Sequence, residues 1–380
     1  MNIFIWSPFI QKVGTTSNVE NSIHSLLKFS KKKNYNIDLI NVFGEWDEYE
    51  FKDKRVNKTP LLNFEYLKKI KKNGFLRSRI FTILIIILSI IPLARLLKKK
   101  NYDFLFVHLI TSLPIFLINF LDIKVKLILN IAGFPKLTFL RSFFWKYFQK
   151  NIYKVVCPSY ETQNLLIKKK IFERKKINVI KDPHIKVRKI ILKKNVKVDM
   201  KLRARKNIIS IGRLTKQKNY IFLLEVFKKI LSLRNDLHLI IIGEGEDRKL
   251  IENKIKNLNI TNHVSLEGYQ DNIYKYLDNS ICYFSASIWE GPDLAMLDAA
   301  FLNVPIICSD CKSGRKEFIE DNKRGYIFKT NDINSSTEAF KLFFEEDALE
   351  LKKKLIKSKK EVRNFTPYRY YLHLSKIIDS

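Results

Sequence analysis

WEGPDLAMLDAAFLNVPIICSD, residues 289–310, sets two acidic side chains, Glu290 and Asp298, eight positions apart around a Gly-Pro turn. Read as local structure, Ile281 to Ser285 is a buried strand and Glu290 and Gly291 lie in the loop at its carboxyl end. Leu294 to Leu302 then begins a helix whose first N–H groups attract anions. The two acids can face one pocket, at the place where open α/β sheets bind ligands.

The same alternation runs outward in both directions. NIFIWS, NIDLINVF, DFLFVHL, KVKLILNI and KVVCPS are strand-length apolar runs in the first half, separated by helical patterns such as Val19 to Ser30. In the second half the strands are Asn207 to Gly212, Leu237 to Gly243, Val264 to Leu266, Ile281 to Ser285 and Pro305 to Ser309. Helices fall near Tyr220 to Leu233, Asp247 to Leu258 and Asp271 to Leu277. Such alternation predicts an α/β protein with parallel sheets. The polar, basic segment Lys186 to Arg205 reads as the linker between two halves.

A chain of 380 residues, 46% of them hydrophobic, can fill two cores. The net charge of +32 is concentrated in the first 200 residues, which hold 39 Lys and Arg against 14 Asp and Glu. Lys, Ile and Asn are all abundant, as AT-rich coding favours, so part of the charge is compositional. Cys157, Cys282, Cys308 and Cys311 are too few for a disulfide framework, and the lone C-x-x-C lacks the second pair or nearby His of a zinc site. Met1 to Ile5 reads as a strand rather than a signal peptide, so a reduced, cytoplasmic protein is expected.

Phosphate chemistry is carried by IISIGRLTKQKNYIFLLEVF, where Gly212 ends a strand and Arg213 and Lys218 precede a helix. A guanidinium, an ammonium and a helix N-terminus together can neutralise a diphosphate. LHLIIIGEGEDRKLIE, VSLEGYQDNIYKYL with Gly268 and Tyr269, and KSGRKEFIEDNKRGYIF follow in order. In series with the 289–310 stretch, these motifs resemble family 4 of the retaining glycosyltransferases, whose E-x7-E signature here ends in Asp298 instead of Glu.

That resemblance implies the GT-B fold: two Rossmann-like domains facing a cleft, at 1–190 and 191–365, with a C-terminal helix, 366–380, crossing back to the first. It further implies that Arg213 and Lys218 hold the diphosphate of a nucleotide-sugar donor, UDP by family habit. Glu290 would contact the donor sugar, Asp298 the ribose hydroxyls, and Gly268 and Tyr269 the base. Gly212 would shape the diphosphate turn, with N–H donors from Gly291, Asp293 and Leu294. Asp298 is one methylene shorter than the usual Glu, and Pro292 removes one backbone donor. No D-x-D occurs, so no metal or other cofactor is expected.

In the first half Gly14 follows the first strand, where the family uses glycine for close approach to donor and acceptor. FVHLITSLPIFL and LNIAGFPKLTFLRSFFWKYF resemble bacterial members that build lipopolysaccharide or capsule precursors. Many members carry a His after the strand read here as KLILNIAGF; this chain has Asn130 and Gly133. His108, at a strand end, and Lys136 and Arg141 are the acceptor-side candidates, each weighed against a structural or solvated role. His24 and His184 read as structural.

Ile80 to Leu97 is an apolar run with basic flanks, broken by Pro92 and Arg95. It reads as a helix partly in the core and partly in the membrane surface, with Ile86 and Leu88 as the side chains to test for lipid contact. A protein peripheral at the inner face of an anionic membrane, acting on a lipid-linked glycan or polysaccharide acceptor, is the expectation. Two rivals are weighed: a GT-B nucleotide-sugar epimerase, which needs no acceptor, and a nucleic-acid binder. The basic residues form no RNP, zinc-finger or helix-turn-helix pattern, so no nucleic-acid partner is expected.

Overall fold

Ile3 and Ile5 lie in one buried cluster while Phe4 and Trp6 lie in another, because successive side chains of a strand point to opposite faces. Both faces of that strand are therefore covered, as in other parallel sheets. The computed structural model describes all residues except 11–13, 31–33, 64–66, 68–74, 197–199, 201–203, 292, 313 and 380. It divides the chain into two compact units, Met1–Pro183 with Pro367–Ser380, and His184–Thr366.

The first unit runs β1 (Asn2–Trp6), α1 (Gly14–Phe29), β2 (Asn36–Asn41), β3 (Val56–Pro60), α2 (Phe75–Lys99), β4 (Phe104–Val107), α3 (Ser112–Leu121), β5 (Lys126–Asn130), α4 (Phe139–Phe148), β6 (Ile152–Cys157), α5 (Tyr160–Lys168) and β7 (Ile177–Val179). Its seven-stranded sheet is parallel, in the order β3-β2-β1-β4-β5-β6-β7. The C-terminal helix, Pro367–Ile378, packs against α1 through Tyr370, Leu374, Ile377 and Ile378.

β3 and β7 are absent from the sequence reading for physical reasons. β3, VNKTP, is a polar edge strand, and β7 spans three residues.

α2 contains the apolar run and is one-sided. Phe81, Ile85, Ser89, Leu93 and Leu97, spaced four apart, are buried against the sheet, whereas Ile80, Ile83, Ile87 and Ile91 are exposed. Ile86 and Leu88 are half-buried against the core, so the outward side chains are Ile83 and Ile87 instead. By length and composition the stretch Arg77–Lys99 could cross a membrane, with a mean hydropathy of 2.6. Its buried face makes it part of this unit's core.

The second unit runs α6 (Val187–Lys194), β8 (Lys206–Ile211), α7 (Tyr220–Leu231), β9 (Leu237–Ile242), α8 (Arg248–Asn257), β10 (Val264–Leu266), α9 (Tyr274–Leu277), β11 (Cys282–Ser285), α10 (Leu294–Phe301), β12 (Ile306–Ser309), α11 (Arg315–Ile319), β13 (Tyr326–Phe328), α12 (Ile333–Glu345) and α13 (Ala348–Val362). Its six strands are parallel in the order β10-β9-β8-β11-β12-β13. The segment read as a linker is in part α6. Ile185 and Ile190 are in this unit's core, and Lys193 Nζ donates to the Asp271 carbonyl at 3.2 Å. The division between the units therefore falls at Pro183/His184, ahead of the expected boundary.

Candidate active site

Strands β8 and β11 are neighbours although β9 and β10 lie between them in sequence, so the order reverses there, the kind of switch point beyond whose carboxyl ends open α/β sheets bind ligands. Arg213 and Lys218 follow β8, and Glu290 follows β11. Two loops are stitched together at this point: Ile288 N–H donates to the Gln217 carbonyl at 2.9 Å, and the Gln217 amide to the Trp289 carbonyl at 2.8 Å. Asn219 Nδ2 adds a bond to the Ala286 carbonyl at 3.2 Å.

The G-x-G turn after β9 serves this packing. A Cβ on Gly243, whose φ is +146°, would lie 1.9 Å from the Gly212 carbonyl oxygen, and one on Gly245 would lie 2.2 Å from the Leu214 carbonyl oxygen. Only glycine lets the β9 loop run along the β8 loop, where Leu214 N–H donates to the Glu244 carbonyl at 3.0 Å. At Gly212 a Cβ would sit 2.6 Å from Lys218 Cε, so that glycine leaves room for the lysine stem.

Lys218 Nζ is 2.6 Å from Glu290 Oε1, with both side chains largely buried. Arg213 is exposed and has no side-chain partner among the described residues. The structure thus pairs Lys218 with Glu290, two of the residues to which the resemblance gives diphosphate and sugar contacts, and leaves Arg213, in the same loop as Lys218, open to solvent. Gly268, at φ +66°, accepts a hydrogen bond at its carbonyl from the Gly243 N–H at 2.8 Å, and the next residue, Tyr269, is exposed.

Asp293 has a structural task besides the backbone N–H role that the resemblance implies. Its side chain caps α10, accepting from Met296 N–H at 3.4 Å and from the Tyr283 hydroxyl at 3.2 Å, and it is paired with buried Arg315. Burial alone would raise its carboxyl, yet Arg315 and then Lys218 hold it below the usual carboxylate range. The carboxylate is therefore spent on the frame, and only its backbone is left for a ligand. Gly291 and Leu294 are half-buried at this helix start, and the Pro292 reading lies outside the described residues.

Arg315, the first residue of α11, was not singled out by the sequence. Its guanidinium is 1% exposed and donates to Ser309 Oγ at 2.8 Å and Ser285 Oγ at 2.6 Å, and Nη2 stands 3.8 Å from Glu290 Oε1. Its only sequence signal is the Arg of KSGRKEF following a strand, a position more often solvated. His184, read as structural in the sequence, lies beside a candidate site residue. Its Nε2 is 3.0 Å from Asp298 Oδ2, and Asp298, on α10, is buried with Oδ1 lacking a hydrogen bond among the described residues.

In the first unit Gly14 opens α1 and is exposed rather than lying in a loop. His108, just past β4, is buried, and burial pushes its imidazole down to about 4. Arg141 and His108 line one cavity, whereas Lys136 is exposed and contributes its carbonyl to Arg141 Nη1 at 3.0 Å. All four cysteines are unpaired and buried.

These features belong to a known class. Residues 193–362 match the family of glycosyl transferases group 1, and the second unit is a domain of that family. A Campylobacter jejuni N-acetylgalactosamine-N,N'-diacetylbacillosaminyl-diphospho-undecaprenol 4-alpha-N-acetylgalactosaminyltransferase is 32% identical over 158 residues, 42% of each chain. An Escherichia coli UDP-Gal:alpha-D-GlcNAc-diphosphoundecaprenol alpha-1,3-galactosyltransferase is 25% identical over 71% of this chain and 74% of its own. The chain spans only 27% to 42% of the length of several other curated relatives and the Campylobacter enzyme. Anabaena HepE, solved with UDP, has the same fold at a TM-score of 0.73 and 11% identity, covering 100% of both chains. The fold is that of the GT-B glycosyltransferases, as the motifs implied.

Proposed function

We propose that this chain is a retaining glycosyltransferase of family 4 that moves a sugar from a nucleoside diphosphate, UDP first, to a hydroxyl of a lipid-linked glycan in cell-surface glycan synthesis. The observation that carries the reading is the Lys218 to Glu290 pair at the strand-order reversal of a group 1 domain, with exposed Arg213 in the same loop as Lys218. When the bond between sugar and diphosphate breaks, the electron pair goes to the diphosphate oxygen, and the new negative charge falls where the two cations stand. Lys218 exchanges part of its contact with Glu290 for the departing phosphate, while Glu290 is left to face the sugar. The free Asp298 Oδ1 suits a ribose hydroxyl donor. The two cations supply the charge that a metal supplies elsewhere, so the reaction runs without one.

The names of the Campylobacter and E. coli relatives, both acting on diphospho-undecaprenol-linked sugars, support a lipid-linked acceptor. The exposed apolar face of α2 and the basic first 200 residues support a position at the inner surface of the cytoplasmic membrane. Incubation with radiolabelled UDP-sugars and GDP-sugars plus a membrane extract tests the reading. Label transferred to a lipid fraction only when extract is present is the expected result; an epimerised sugar nucleotide without extract, or no turnover of any donor, would refute it.

A further inference from the structure

A cavity of about 580 Å³ lies in the first unit beyond the carboxyl ends of β4 and β5, a volume ordinary for a small-molecule site. His108 and Asn130 come from the strand ends, Ile86 from α2, and Leu140, Arg141 and Trp145 from α4. Leu140 lines the cavity and is yet 78% exposed, so the mouth opens at the start of α4. Beside it stand Phe139 and Phe143, and next to Ile86 along α2 stand Ile83 and Ile87, all exposed. Water covers these side chains at a cost that a hydrocarbon chain would remove.

The polar lining is one guanidinium, one imidazole, one amide and the hydroxyls of Thr82, Thr111 and Ser112, with Arg141 its only charged side chain among the described residues. Arg141 presents an exposed guanidinium at the mouth, where one N–H is already given to the Lys136 carbonyl, leaving other donors of the fork. Deeper in, the buried His108 ring has no hydrogen-bond partner among the described residues and, kept neutral by burial, offers one N–H. The Asn130 amide offers two more. Among the described residues no carboxylate lines the cavity. One cationic fork and several neutral donors, opening onto an apolar rim, suit an anionic head on a hydrocarbon chain.

We propose that this cavity binds the phosphate or diphosphate head of a membrane lipid, with Arg141, His108 and Asn130 on the head and the chain leaving across Leu140 onto the apolar rim. The assignment rests on the transferase reading, for which it supplies the acceptor subsite. Farnesyl diphosphate tests it by titration calorimetry against the full chain, with inorganic diphosphate and farnesol as the arms that lack chain or charge. Farnesyl diphosphate is expected to bind at least tenfold more tightly than either.

Arg141→Gln, at an exposed position that spares the fold, and Ile86→Trp, which fills the cavity and is checked by a thermal melt, should each weaken that binding at least tenfold. UDP affinity, measured on the same samples, should not change. Equal binding of inorganic diphosphate, or unaltered farnesyl diphosphate affinity in Arg141→Gln, would overturn the proposal whatever Ile86→Trp does. Loss of UDP binding in the wild type would instead indict the donor-site reading.

Discussion

His184 Nε2 stands 3.0 Å from Asp298 Oδ2. The contact is within ion-pair reach but lacks hydrogen-bond geometry, and Oδ1 is likewise without a protein hydrogen bond among the described residues. An aspartate shorter than the family's glutamate thus has an imidazole on one side and an unsatisfied oxygen on the other. Asp298→Ala should weaken UDP binding more than it slows transfer, because ribose contacts are made alike in ground and transition states. His184→Ala should produce a smaller loss in the same direction, read as a rise in KM with kcat nearly kept. Calorimetry showing unchanged UDP affinity in Asp298→Ala would exclude the ribose role.

Lys218→Ala and Arg213→Ala act on the other end of the donor. A charge-assisted hydrogen bond is worth about 1.5–3 kcal/mol, so losing one that strengthens as charge develops should slow transfer by roughly tenfold to more than a hundredfold. Arg213 is exposed, so its removal should leave the melting temperature unchanged. Lys218→Ala also frees Glu290 as a buried carboxylate and should cost some stability as well. Chelation of divalent ions with EDTA should leave wild-type transfer unaltered, and a rate abolished by EDTA and restored by magnesium would contradict the two-cation account.

Arg315 supports the site without being open to solvent. Replacement by Met leaves Asp293 as a buried, unpaired carboxylate and strips donors from Ser285 and Ser309. Breaking a buried pair this way costs about 3–5 kcal/mol, so Arg315→Met should lower the denaturant midpoint markedly and reduce UDP binding through the displaced α10. Wild-type stability in that variant would show that the serines and Asp293 do not depend on it.

Acid should act on the first unit through His108. Its folded value, about 4, lies below the ordinary 6.5 because burial disfavours the imidazolium. The unfolded chain therefore binds more protons between those values, and stability is full above pH 6.5 and falls as pH drops toward 4, by up to about 3 kcal/mol. His238, lowered similarly by burial and then by Arg205, adds a parallel loss in the second unit. The difference in melting temperature between wild type and His108→Gln, followed from pH 7 to pH 4, isolates the His108 share. Parallel curves would rule it out.

Much of this was legible in the chain because parallel strands buried on both faces read as continuous apolar runs: LHLIII became β9 with all six residues buried. Val264–Leu266 fell where the pattern put it, and the C-terminal helix implied by the resemblance within 366–380 is Pro367–Ile378. Gly212, Arg213, Lys218 and Glu290 lie in the loops after strands where the sequence reading put them, because strand ends are legible from the apolar runs. His184 and Arg315 escaped because each acts through a residue distant in sequence, by 114 and by 22 positions from Asp298 and Asp293. For Asp293 the resemblance implies a backbone role alone, and only packing shows that Arg315 claims its carboxylate, since an Asp ahead of a helix signals an N-cap or an anion site alike.

The last prediction concerns α2, whose two faces decide which side chains can report lipid contact. Ile86 and Leu88 pack against the core, so charges there would unfold the first unit whether or not a membrane is present. Ile83 and Ile87 are exposed and cost little to replace in water. If this face sits at the bilayer surface, Ile83→Glu with Ile87→Glu should release the protein from anionic vesicles while the thermal melt stays as in wild type. Wild-type binding should be stronger to anionic than to neutral vesicles, and its electrostatic part should weaken as salt shortens the screening length. Flotation read together with the melt separates the cases. A double variant that floats as well as wild type would remove α2 from the contact surface, and a folded wild type that ignores anionic vesicles at low salt would refute the membrane position while leaving the donor chemistry at Arg213 and Lys218 intact.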